Sequence, residues 1–355
     1  MTNHLVLDSN GRRAGGRVTL PVLGHDSAAR EPASVDRVSP KSVRISVTDR
    51  CDYACTYCRP GHREDYASER MSLDAWGTIV DALLESGVDR FRLTGGEPLV
   101  SPKIVQLVEL LAQKHVSDLA LTTNASQLAR LARPLKDAGL MRINVSIDTL
   151  DPVRFRDLTR GGRLDDVLAG LAAAREVGLT PIKLNTVLLR GVNDDEIESL
   201  VHFAWDQGFV PRFLEVMPIA EGAKLARDHL VTIAEVRERL RPLLADEEAE
   251  TLPDRGPARY VHARDDRTKV VGFISGTSDT YCASCDRLRV SSTGALRPCL
   301  ATDHGVDAMD AARAGDVREV RDRLVRAWAD KPDGTTFKGC TDPGAANVSM
   351  RAIGG

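Results

Sequence analysis

The sequence predicts an α/β protein: a partial, open (β/α)6 TIM-like barrel over residues 41–220, then a smaller C-terminal α+β region over residues 221–355. Three observations lead there. Six strand-like segments alternate with helical patterns between residues 43 and 216, which implies a parallel sheet with right-handed crossovers. Four of these strands are polar at every second position, whereas strands covered on both faces read as near-continuous apolar runs. After about residue 220 the alternation gives way to short β segments and isolated helices.

Residues 1–40 are polar and rich in Gly, Pro, Arg and Ser. They read as a flexible extension with at most a short strand at 17–22. Strands follow at 43–47, 88–93, 118–122, 142–147, 182–188 and 210–216. The first helix carries Leu73, Trp76, Ile79, Val80, Leu83 and Leu84 at helical spacing behind Ser72, a good N-cap. Further helices read over 104–114, 128–138, 164–177 and 194–207. On the strands, Arg44, Ser46 and Thr48 alternate with Val43, Ile45 and Val47. Arg90 and Arg92 alternate with Phe91 and Leu93, Asn144, Ser146 and Asp148 with Ile143, Val145 and Ile147, and Lys183 and Asn185 with Ile182 and Leu184. One face can pack on helices while the other needs a wet cavity, which a partly open barrel provides. Beyond residue 220 the pattern gives a helix at 233–244, an acidic linker at 246–250 and short antiparallel strands over 259–275. A strand at 287–291, a turn at Ser292–Gly294, a strand at 296–299 and a helix over 316–329 precede a Gly-rich tail.

Hydrophobic residues make up 42% of the 355, and the net charge is −3. That is an ordinary globular balance. It argues against a nucleic-acid partner, which usually calls for a strongly basic domain. Aromatics at 4% leave little for base stacking. No signal peptide and no membrane-spanning apolar run is evident, so the expected location is cytoplasmic. In such a compartment clustered thiols serve as metal ligands more often than as disulfides.

Six of the seven cysteines form two triplets. Cys51, Cys55 and Cys58 lie at C-x3-C-x2-C in the loop after the first strand, where barrel enzymes build their sites. Cys282, Cys285 and Cys299 lie at C-x2-C-x13-C in the C-terminal region. Three thiolates leave one iron of a [4Fe–4S] cluster open, so each triplet points to a cluster able to bind a small molecule. A zinc knuckle is the competing reading of the first triplet, but no His follows at zinc spacing. At the second triplet, Cys340 as a fourth ligand would make a closed, structural site. Seven cations are placed to converge on a polyanion: Arg44, Arg90, Arg92, Lys183 and Arg212 on the barrel strands, and Arg287 and Arg289 on one face of a later strand. Arginine forks suit phosphate oxygens.

C-x3-C-x2-C with Tyr57 before its last cysteine resembles the signature of the radical S-adenosylmethionine (SAM) superfamily. Gly95-Gly96-Glu97-Pro98 after the second strand and Thr122-Thr123-Asn124 after the third agree with it. The segments Arg44–Cys51, Arg92–Pro98, Asn144–Leu150, Gly191–Asp194, the second triplet with Asp286-Arg287-Leu288-Arg289, and the final Ile353-Gly354-Gly355 narrow the match. From Val43 to Gly355 the chain is similar to the MoaA family, the GTP 3′,8-cyclases of molybdenum cofactor biosynthesis.

The resemblance implies two [4Fe–4S] clusters, SAM as cofactor and GTP as substrate. Cys51, Cys55 and Cys58 would hold the SAM cluster; Cys282, Cys285 and Cys299 would hold the second, against guanine. SAM contacts carried over by position are Tyr57, Gly95, Gly96, Glu97, Thr122, Asn124, Ser146 and Met217. The seven cations would grip the triphosphate, and Arg287, Arg289, Gly354 and Gly355 would serve catalysis. A downstream cyclic pyranopterin monophosphate synthase, a flavodoxin- or ferredoxin-type electron donor and a homodimer are also implied. The alternative within the superfamily is an enzyme with an auxiliary cluster acting on another small molecule or a peptide. The chain departs from the family pattern at Ala125, where glycine is usual, and a left-handed backbone there would strain an alanine. It has Arg90 where lysine is common.

Overall fold

Period-two alternation sets the central strands. The computed structural model describes residues 39–58, 66–219, 221–249, 256–302, 304–332 and 350. In it β1 (Ser42–Ser46), β2 (Arg90–Thr94), β3 (Asp118–Thr123), β4 (Arg142–Ser146), β5 (Ile182–Leu188) and β6 (Val210–Glu215) pair in parallel, in that order. The crossovers hold α1 (Leu73–Glu85), α2 (Ile104–Gln113), α3 (Leu128–Asp137), α4 (Pro152–Thr159), α5 (Leu164–Glu176) and α6 (Ile197–Asp206). Val43, Ile45, Phe91, Leu93, Leu119, Leu121, Ile143 and Val145 are buried in one cluster with Trp76, Ile79, Leu107 and Leu111 of α1 and α2. The other strand face is left for the site. Ser72 caps α1 as its sequence suggests, its hydroxyl accepting from the Ala75 amide at 3.2 Å.

The C-terminal elements are α7 (Gly222–His229), α8 (Ile233–Leu240), β7 (Leu244–Glu248), β8 (Arg259–Ala263), β9 (Val270–Ile274), β10 (Arg287–Val290), β11 (Ala295–Arg297), β12 (Val306–Asp307), α9 (Met309–Arg313) and α10 (Val317–Ala329). They extend the same sheet at both ends, giving the order β12-β11-β10-β1-β2-β3-β4-β5-β6-β9-β8-β7. β10 runs parallel to β1, and β9 runs parallel to β6. The result is a partial α/β barrel whose open side is flanked by C-terminal strands.

Several expectations need correction. The acidic stretch expected as a linker at 246–250 is largely β7: Leu244 is buried, while Asp246 and Glu247 are exposed on the last strand of the sheet. Charged side chains on an edge strand block pairing with other chains, so acidity and strand are compatible there. The helix expected over 233–244 ends at Leu240, because Leu244 already opens β7. The helix expected from 194 begins with a short 3-10 turn, Asp194–Glu196, before α6. Helix α4 was not expected at all, although Asp151 caps it by accepting from the Val153 and Arg154 amides and Pro152 opens it. The extension with its strand at 17–22, Cys340, Gly354 and Gly355 lie outside the described residues. Among the described residues no helix is long and apolar enough to cross a membrane.

Candidate active site

The loop after β1 is pinned from two sides. On one side the turn after β2 packs directly on it: the Gly96 amide donates to Thr48 O at 2.7 Å and the Glu97 amide to Arg50 O at 2.8 Å. A Cβ on Gly95 would meet Thr48 O at 2.4 Å, and one on Gly96 would meet Arg50 O at 2.4 Å. These glycines therefore seat the cysteine loop, a role beyond the expected approach to a ligand. On the other side α4 receives the loop: the Ala54 amide donates to Thr159 O at 3.1 Å and the Thr56 amide to Leu158 O at 3.0 Å. Tyr53 meets Phe155 of α4 edge to face, with ring centroids 6.1 Å apart.

Side chains finish the frame. The Tyr57 hydroxyl donates to Asp148 Oδ2 at 2.6 Å, latching the loop to the end of β4. Glu97, expected among the SAM contacts, lines the cavity described below, and both its oxygens are also held by the protein. Oε1 accepts from the Leu99 amide at 2.9 Å and from Thr123 Oγ1 at 2.7 Å, and Oε2 accepts from the Asn124 amide at 2.7 Å. Asn124 Nδ2 donates to Asp52 Oδ1 at 2.8 Å, beside Cys51. Ala125 has φ 63°, the left-handed backbone that its sequence position suggested.

Cys51, Cys55 and Cys58 line one large cavity with Tyr57, Gly95, Gly96, Glu97, Thr122, Asn124, Ser146 and Met217. Arg44, Arg90, Arg92, Arg212, Arg287 and Arg289 line the same cavity. Register explains the second group. Arg289, Arg44 and Arg92 are direct partners across β10, β1 and β2, and Arg287, Ser42 and Arg90 form the adjacent row. Neighbouring strands lie only about 4.8 Å apart, so the first row sets three arginines on adjacent strands facing one cavity. Burial, then Arg289 and Arg287, pulls Arg44 down to about 9, and burial with Arg287 brings Arg289 to about 10. Like charges held this way favour a bound polyanion.

Three positions qualify the expected cation set. Arg90 is ion-paired with Asp286, so part of its charge is already met. Arg212 donates to Asn185 Oδ1 at 2.9 Å and to Asn144 Oδ1 at 2.8 Å, which fixes its aim. Lys183 is 2% exposed and lines neither cavity described here; its ammonium stands 5.6 Å from the Tyr260 ring. Gly272, on β9 opposite Arg212, was not expected to matter. A Cβ there would come within 2.7 Å of Arg212 Cγ and 2.8 Å of Tyr260 Cε1. A glycine inside a strand is the sequence signal for such a close approach.

Cys282, Cys285 and Cys299 line a smaller adjoining cavity that shares Met217, Arg287 and Arg289 with the large one. Arg287 Nε donates to Cys285 Sγ at 3.4 Å, and its guanidinium lies 4.7 Å from the Tyr281 ring centroid. Burial alone would raise the Cys285 thiol, but Arg287 and then Lys331 outweigh it and bring it down to about 6.

A radical SAM superfamily model matches residues 45–204, and a Molybdenum Cofactor Synthesis C model matches residues 210–337. The chain is 38% identical over 295 residues to the GTP 3′,8-cyclase of Alkaliphilus oremlandii, covering 82% of this chain and 90% of the relative. It is 43% identical over 269 residues to GTP 3′,8-cyclase 1 of Pseudomonas aeruginosa, covering 75% and 81%. The chain belongs to the GTP 3′,8-cyclase (MoaA) family of radical SAM proteins. In fold it is similar to Streptococcus suis SuiB, solved bound to S-adenosylmethionine, with a TM-score of 0.61 at 18% identity over 84% of this chain and 68% of that one.

The donor sets suit the clusters that this family uses. The thiols of each triplet share a cavity wall, free of disulfides, an arrangement that fits a cluster held by three cysteines with one open iron.

Proposed function

We propose that this chain is a radical SAM GTP 3′,8-cyclase. It converts GTP to (8S)-3′,8-cyclo-7,8-dihydroguanosine 5′-triphosphate, the first step of molybdenum cofactor biosynthesis. The observation that carries the reading is the row Arg289–Arg44–Arg92, which faces the same cavity as the first cysteine triplet. A triphosphate on that row would place its nucleoside between the two triplets.

In this reading Cys51, Cys55 and Cys58 hold a [4Fe–4S] cluster, and Gly95–Glu97, Thr122, Asn124, Ser146 and Met217 shape the SAM pocket beside it. When bound, cluster and SAM supply the 5′-deoxyadenosyl radical that abstracts the ribose 3′ hydrogen. Cys282, Cys285 and Cys299 hold a second [4Fe–4S] cluster against guanine. Arg44, Arg92, Arg212, Arg287 and Arg289 orient the triphosphate, with Arg90 tying Asp286 into the row. Charge neutralisation by the phosphates relieves the repulsion among the buried guanidinium groups. Met350 packs with Ile219, Leu300 and Ala301 and lines the large cavity. That contact supports a C-terminal tail delivering Gly354 and Gly355 to the site. A flavodoxin- or ferredoxin-type donor supplies the electron, a cyclic pyranopterin monophosphate synthase takes the product, and the enzyme works as a cytoplasmic homodimer.

The test is 5′-deoxyadenosine formation by anaerobically prepared protein. The reading expects it to require SAM and GTP together, with the cyclised nucleotide formed in step. SAM cleavage indifferent to GTP, with no cyclised product, would refute it.

A further inference from the structure

The second triplet is split between two strand ends, and little of the sheet joins them. The β10–β11 ladder is registered at Val290–Leu296 and Arg289–Arg297. Cys285 and Cys299 lie beyond that last rung, on segments that must nevertheless keep a fixed spacing. One side chain spans them. Lys331 Nζ donates to Arg287 O at 2.8 Å and to Pro298 O at 2.7 Å. It also lines the same small cavity as Cys282, Cys285 and Cys299. Two of the three ammonium donors are thus spent on the two strand-end carbonyls, beside the cysteines.

The lysine is itself well anchored. Val320, Leu324, Ala327 and Trp328 bury one face of α10. The Lys331 amide donates to Trp328 O at 3.0 Å just past the helix end, and the ammonium sits 4.9 Å from the Trp328 ring. The helix end is thus fixed before the side chain reaches the hairpin.

We propose that Lys331 is a positioning residue for the second iron–sulfur site: it clamps the Cys285 and Cys299 segments together and sets a positive charge in the cavity that the three cysteines line. The inference rests on the reading that this triplet holds a cluster. Two consequences follow. Without the clamp, the two segments lose their common brace and the cluster is held less firmly. Without the ammonium, a cluster that remains loses a nearby positive charge, which favours its reduced form.

The experiment uses the full chain, reconstituted anaerobically, as wild type, Lys331→Met, Lys331→Gln and Lys331→Arg. Iron and acid-labile sulfide are counted per chain, the reduction potential and electron paramagnetic resonance signal of each cluster are recorded, and a melting curve checks folding. Lys331→Met is expected to lose about half of the iron, from the second site, while the first cluster's signal persists. Lys331→Arg should restore most of the iron. Lys331→Gln, which keeps donors but no charge, should keep more iron than Lys331→Met and shift the second cluster's potential negative. If Lys331→Met folds and matches wild type in iron and potential, the clamp is wrong and the cluster reading stands. If Lys331→Met does not fold, Lys331→Gln decides by its potential, and an unshifted value refutes the role. Wild-type protein carrying only one cluster's iron would refute the cluster reading, and the clamp with it.

Discussion

Around the first triplet the nearest ionisable neighbours are carboxylates, and around the second they are Arg287 and Lys331. Burial pushes the Cys51 thiol up to about 12, with Glu97 and Asp52 adding to it. The hydrogen bond between Cys58 and Cys55, with burial, holds Cys55 well above the usual thiol range. At the second triplet the cations win over burial and bring Cys285 to about 6. The supports differ too. One loop carries the whole first triplet and is seated by backbone bonds from the β2 turn and α4, whereas the second triplet is split across a hairpin and bridged by side chains. A wall of carboxylates suits a ligand bearing an ammonium and a sulfonium, as SAM does; a wall of guanidinium groups suits a polyphosphate. The cavity is therefore polarised between the two sites, and on the proposed reading that polarity would order the two ligands.

The largest effect should come from removing one thiolate at each site in turn. Cys55→Ala should abolish both SAM binding and 5′-deoxyadenosine formation. Cys285→Ala should abolish the cyclised nucleotide while SAM still binds. Isothermal calorimetry with SAM on the two anaerobic variants measures the split. Equal loss of SAM binding in both would mean that the sites are not divided as described.

Thiol chemistry sharpens the contrast in the cluster-free protein. A thiol near 6 is mostly thiolate at pH 7, and one near 12 is almost wholly protonated. Lower basicity also weakens a nucleophile, so a thiolate ratio of roughly 10⁵ shrinks to a net advantage of about 100-fold. Timed alkylation with iodoacetamide, read by mass spectrometry, should label Cys285 long before Cys51. Comparable rates would show that the charge difference between the walls has no chemical consequence.

Much of this was legible in the sequence. Both triplets, the six parallel strands to within about two residues, and the polar faces of β1, β2 and β4 follow from local spacing, since alternation needs no knowledge of distant partners. The places of β9 and β10 do not. Ser42 pairs with Arg287 across most of the chain, and no local pattern encodes that contact. The same gap hid Lys331, an ordinary lysine after an amphipathic helix until the hairpin is set beside it. Glu97 shows the converse: its motif is local, but the partners that hold its oxygens, the Leu99 and Asn124 amides and Thr123, are not written in that motif. Helix α4, only 8 residues long, is too short to show a helical period and carries its signal only in Asp151-Pro152, a cap followed by proline.

The cationic wall predicts a conflict between binding and stability. Arg44 is crowded by like charges, so Arg44→Met should leave the melting temperature unchanged or raised. It should still weaken GTP binding by about 1.5–3 kcal/mol, the range for a charged hydrogen bond. Guanosine, which lacks phosphates, should lose far less. Equal losses for both ligands would place Arg44 in the fold and not in the grip on phosphate.

The smallest predicted effect lies at the carboxylate wall. Ala125 is fully buried, with φ 63°, directly after Asn124, whose amide reaches Glu97. Left-handed backbone costs an alanine about 1 kcal/mol or more, which Ala125→Gly would relieve. Against that stand a lost buried methyl, about 0.8 kcal/mol, and a more flexible unfolded chain, about 0.4–1 kcal/mol. The opposing contributions nearly cancel, so Ala125→Gly should change unfolding free energy by no more than about 1 kcal/mol. SAM affinity should also be retained, because the Glu97 bonds come from the backbone of Asn124 and the side chain of Thr123, which the substitution leaves in place. Chemical denaturation and SAM titration measure both. A loss of several kcal/mol would show that the Ala125 methyl is needed to pack the wall; a large loss of SAM affinity alone would show that the strained turn itself sets the pocket.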